Sequence, residues 1–245
     1  MKTSNPVLGK KIFENYTYDS SATGVMTVQG TVNKIALMLI LVVAAASFTW
    51  GQILSGAGGQ GLMLTGGIGG FVVALITVFN KKRSSVLAPI YAVLEGLFLG
   101  GISAFFESMY PGLVMRAIVL TFAVLFAMLF AYKTQMIKVT QKFRTGVLAA
   151  TMGIGVAYLL SFLLRIFGVD TTFMFGGGTM GIVISLVIVA VAALNLVLDF
   201  DFIEKGAQAQ LPKYFEWYGA FGLMVTLIWL YIEILRLLSY LSGRD

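Results

Sequence analysis

Four acids in this chain stand where acids are costly. Glu95 lies near the middle of the apolar stretch YAVLEGLFLGG (91–101), Asp199 and Asp201 close the run NLVLDFDFIEKG, and Glu233 lies well inside the hydrophobic segment that begins near Trp217. A charged side chain at the centre of a bilayer costs several kcal/mol, so such groups face protein or a water-filled cavity and mark routes for ions or protons. The chemistry open to them is binding and release, of a proton or of a hard cation that takes oxygen ligands. No catalytic residue is expected. The chain has no histidine and no cysteine, which removes Ser–His dyads, thiol nucleophiles, thiolate metal sites and the usual pH switch. Any response to pH must therefore come from carboxylates. No cofactor and no certain metal site is implied, Ca2+ entering only as an ion in transit.

Each acid has a plain structural reading beside the functional one. Glu95 could be a protonated acid hydrogen-bonded to a neighbouring helix, with Tyr91 one turn away at i−4 as a local partner; the sharper reading is an ion-binding or proton-accepting carboxylate that changes charge in the physiological range. Asp199 and Asp201 stand two residues apart, so on a helix they point to different sides and do not form a ready-made dyad. Asn195 shares a face with Asp199, and Asp201 can pair with Lys205. Together they could be a solvated acidic helix end or a gate at the inner mouth. Glu233 has Arg236 at i+3, the spacing of a structural ion pair. With Glu107 at the outer mouth, these acids form a rough ladder by depth.

The elements that must position them are membrane helices. Hydrophobic residues make up 58% of the chain and charged residues only 11%, a ratio no water-soluble domain can bury. Seven apolar runs, at about 35–54, 62–79, 86–106, 112–132, 146–166, 179–198 and 217–240, each match the roughly 20 residues that cross a ~30 Å hydrocarbon core. The fold class is therefore an all-α, seven-transmembrane helical bundle. Residues 1–33 are read as a polar tail and 34–245 as the helical domain. The first apolar run begins after Lys34 without a small-residue cleavage site and is expected to be a retained span. Gly66 and Gly70, Gly96 and Gly100, and Gly177 and Gly181 have the spacing that lets helices approach closely.

Basic residues orient the bundle. The N-terminal tail and the connections on its side, among them KKRSS at 81–85, carry 13 of the 17 Lys and Arg. By the positive-inside rule the N-terminus is cytoplasmic and, after seven spans, the C-terminus lies outside. The net charge of +6 is this loop surplus and does not point to nucleic acid.

GVMTVQGTVNKIALM at 24–38, APIYAVLEGLFLGGISAFFE at 88–107 and NLVLDFDFIEKG before a final hydrophobic helix resemble the bacterial branch of the Bax inhibitor-1/YccA (TMBIM) family, over nearly the whole chain. The resemblance implies six helices around a central C-terminal one, in a bacterial cytoplasmic membrane. It also implies a pH-sensitive calcium leak governed by an aspartate on the sixth helix hydrogen-bonded to another on the seventh. The first falls on Asp199 or Asp201; Thr226 stands at the place of the second, with Glu233 two turns further on. The expected function is a cation leak channel or transporter using Glu95, Asp199, Asp201 and Glu233, with Tyr91, Asn195, Thr226 and Arg236 in support. The family offers a second possibility from another class, a non-transporting regulator or scaffold that binds a membrane protein, such as a membrane protease, through its N-terminal tail.

Overall fold

The computed structural model describes residues 24–56, 58–169 and 176–243. The greater part of the expected tail, residues 1–23, and the basic residue Arg244 lie outside them. Among the described residues seven α-helices follow in order: α1 Val28–Leu54, α2 Gln60–Phe79, α3 Ser84–Met109, α4 Leu113–Lys133, α5 Gln141–Ile166, α6 Thr179–Gln208 and α7 Phe215–Ser242, with a short 3-10 helix Lys81–Arg83 before α3. All seven are long and apolar enough to cross a membrane. Among the described residues there is no strand, only an isolated antiparallel bridge between Val25 and Pro212.

Local chemistry sets the helix ends. Thr27 caps α1 by accepting the Gly30 N–H on its hydroxyl, and Thr140 caps α5 through Phe143, each satisfying a donor that the first turn leaves without a partner. The turn between α1 and α2 needs glycine: Gly56, Gly58 and Gly59 have φ of 69°, 101° and 101°, a region that side chains with a Cβ resist. The helices outrun the predicted spans mostly at the end that carries the N-terminus. α1 starts at Val28, within the segment read as tail, and α6 continues ten residues past 198 to Gln208. Hydropathy marks what lipid covers, and polar helical turns beyond that depth are invisible to it.

The described residues form two compact units, one containing those from 24 to 109 with Asp201–Val225, the other those from 110 to 200 with Thr226 to Gly243. Helices α6 and α7 contribute to both. They are also the most buried helices, α7 most of all, as expected of a C-terminal core helix, while α5 is the most exposed. In the first unit α3 packs along both α1 and α2, which barely touch each other. Two of the predicted glycine pairs make this possible. A Cβ at Gly66 would stand 2.5 Å from the Leu94 carbonyl oxygen and one at Gly96 would stand 2.6 Å from that of Val42, while one at Gly100 would overlap the backbone of Ala46. The third pair is different. Gly177 precedes α6, and a Cβ on Gly181 would strike the carbonyl of nearby Gly176; this pair tightens the entry to α6 and makes no helix crossing.

Candidate ion-binding carboxylates

Glu95 is carried on the α3 face that meets α2. A Cβ at Gly70 would come within 2.7 Å of its Oε1, so the carboxylate lies over bare α2 backbone. It is half-buried and has no hydrogen bond or ion pair among the described residues. The expected bond to Tyr91 is not made. Tyr91 is buried and sets its ring edge-on against Phe221, with centroids 4.9 Å apart.

Asp199 and Asp201 part company. Asp201 is buried and takes an ion pair from Lys205 one turn on, with Nζ at 2.7 Å from Oδ1 and 2.8 Å from Oδ2. Asp199 accepts a hydrogen bond from the Thr226 hydroxyl of α7. Its Oδ2 is shielded and has no partner among the described residues. Because α6 continues to Gln208, both acids sit in continuous helix and not at a frayed, solvated end. Asn195 does not reach Asp199; it donates to the Thr151 hydroxyl at 2.8 Å and to the Val191 carbonyl at 2.9 Å.

Glu233 is buried, 1% exposed, and compensated. Tyr158 of α5 donates to its Oε1 at 2.6 Å, and Arg236 lies 3.3 Å from both carboxylate oxygens. Arg236 also donates to the Tyr158 hydroxyl at 2.7 Å, with its guanidinium over that ring. A carboxylate, a phenol and a guanidinium thus satisfy one another. Tyr158 gave no sign in the sequence, being one of many aromatics in an apolar run.

The fifth acid is Glu216, in the first turn of α7, and it is completely buried. Its Oε1 accepts from the Thr27 N–H at 3.0 Å, the Thr27 hydroxyl at 2.9 Å and Lys213 Nζ at 2.8 Å, and Lys34 Nζ stands 2.6 Å from Oε2. Gly30 makes the room, since a Cβ there would overlap the carboxylate. An acid in a first helical turn is favoured by the helix dipole, and that was the one local signal for it.

The carboxylates therefore sort by charge balance. Asp201, Glu233 and Glu216 each face a cation, whereas Glu95 and Asp199 face none among the described residues. Among the described residues no three acids converge on one point to hold a metal, so oxygen ligands are available singly and with hydroxyl or backbone neighbours.

The profile of Bax inhibitor 1 like proteins matches residues 5–243. The chain belongs to the Bax inhibitor 1 like family. No curated protein matches it. For this Bax inhibitor 1 like chain, the geometry separates the two aspartates that the sequence left undivided: Asp199 is the one that meets α7, at Thr226, and Asp201 is neutralised within its own helix.

Proposed function

We propose that this multi-pass membrane protein is a passive cation conduit, with calcium the favoured ion, and that Glu95 and Asp199 are the groups that bind it and respond to pH. The observation that carries the reading is that, of the five acids above, these two alone have no counter-charge among the described residues. A sheltered carboxylate without a cation is costly, and it is relieved by taking up either a proton or a metal ion. Competition between the two makes conduction pH-dependent. Thr226 adds a neutral oxygen beside Asp199, which suits a hard cation without repelling it. In the orientation we favour, the N-terminus is cytoplasmic and the C-terminus outside, following the lysine distribution.

The test is calcium flux into proteoliposomes, from mildly acidic to mildly alkaline pH, for wild type, Glu95→Gln, Asp199→Asn and Asp201→Asn. The first two substitutions should shift or flatten the pH profile and the third should leave its midpoint in place. Wild-type protein giving no calcium or proton flux above empty vesicles defeats the proposal. A regulator acting through the N-terminal tail gives the reverse pattern, with Glu95→Gln harmless and deletion of residues 1–30 abolishing a crosslinkable partner.

A further inference from the structure

Glu216 plays no part in the conduction reading, yet it is the most heavily coordinated acid described here. It fastens one end of a longer contact. Before α1, the Met26 N–H donates to the Leu211 carbonyl at 2.7 Å and Val25 pairs with Pro212. The Met26 side chain, 1% exposed, fills a notch left by two glycines: a Cβ on Gly206 would meet its sulfur at 2.8 Å, and one on Gly219 would lie 3.5 Å from its terminal methyl. At the other end Lys34 reaches Glu216 and lies over the Trp217 ring. A bridge, a plug and an ion cluster thus tie residues 24–34 to the root of α7.

From that root a file of rings leads to Glu95. Phe215 meets Tyr218 at 5.9 Å, Tyr218 meets Phe221 at 6.3 Å, and Phe221 meets Tyr91 at 4.9 Å, one helical turn from Glu95. Phe215, Tyr218, Phe221 and Tyr91 are all buried, and packed interiors transmit displacement because they have no slack to absorb it.

We propose that residues 24–34 form a strap whose fastening by Glu216 fixes the first turns of α7 and thereby sets the surroundings of Glu95, so that a pull on the N-terminal segment is felt at that acid. Glu216 and Phe221 act here as positioning residues. The proposal takes from the conduction reading only the interest of Glu95, and its test measures no transport.

The experiment follows two signals in the full-length protein: amide hydrogen exchange across 25–31 and 213–218, and the rate at which the hydrophobic reagent dicyclohexylcarbodiimide labels Glu95, read by mass spectrometry with Glu95→Gln as the blank. Glu216→Gln removes the charge while keeping the shape; it should speed exchange in both segments about tenfold and change Glu95 labelling at least about threefold. Phe221→Leu should change labelling comparably while leaving strap exchange near wild type. Lys142→Met, at an exposed lysine of α5 away from this contact, should alter neither. Unchanged exchange in Glu216→Gln shows that Glu216 does not fasten the strap, and faster exchange with unchanged labelling shows that the strap does not reach Glu95; either overturns the proposal. If Glu216→Gln does not fold, Lys34→Met, at a partly exposed lysine, decides by the same two readouts. A wild type that transports nothing but passes both readouts sinks the conduction reading and leaves the strap standing.

Discussion

At the scale of single residues, what matters about each acid is where its partner comes from. Arg236 neutralises Glu233 from three residues away, with Tyr158 completing the set. Replacing Arg236 by Met strands a buried carboxylate, and should lower unfolding stability in detergent by about 3 kcal/mol; adding Glu233→Gln should recover much of the loss, measured as a double-mutant cycle. Thr226→Val removes the hydroxyl that bonds Asp199 from α7 and should change calcium flux about tenfold, the equivalent of a ~1.4 kcal/mol hydrogen bond to a charged acceptor, while Thr226→Ser keeps the hydroxyl and should hold flux near wild type. Local pairs were legible in the sequence because i+3 and i+4 neighbours share a helix face; Asp201 with Lys205 and Glu233 with Arg236 were both read that way. Tyr158 and the Glu216 cluster were not, because Thr27 meets Glu216 across 189 residues and Tyr158 meets Glu233 across 75. No periodicity encodes such a meeting.

At the scale of helices, seven spans were readable because lipid demands an apolar run of fixed length, while their ends were not. Ten further residues of α6 moved Asp199 and Asp201 from a supposed helix end into a continuous helix. Glycine spacing was informative only where a second helix lies opposite. Gly100, against the Ala46 backbone, and Gly153 on α5, with nothing within 4 Å of a built Cβ, look alike in sequence and should behave oppositely. Gly100→Ala forces α1 and α3 apart and should destabilise by about 1–3 kcal/mol. Gly153→Ala meets open space and should be neutral or stabilising by up to about 1 kcal/mol. Thermal unfolding of the two variants side by side checks both.

For the whole molecule, orientation is the claim most easily put to experiment, because the chain contains no cysteine and any introduced thiol is read without background. Thr3→Cys should react with a membrane-impermeant maleimide only after cells are opened, and Ser242→Cys in intact spheroplasts; the reverse pattern would invert the proposed topology.

The way the acids are paired also bears on how the protein enters the bilayer. Asp201 and Glu233 bring their cations on their own helices, so each can be neutralised as its segment leaves the translocon, before it packs against any other span. The helix bearing Glu95 has no such companion and enters lipid at a cost of about 3 kcal/mol if charged, which favours insertion as the uncharged acid. Its carboxylate gains a setting only when α2 presents Gly70 beside it. Insertion thus favours an uncharged Glu95, and its contact with Gly70 is made afterwards, when α2 and α3 pack.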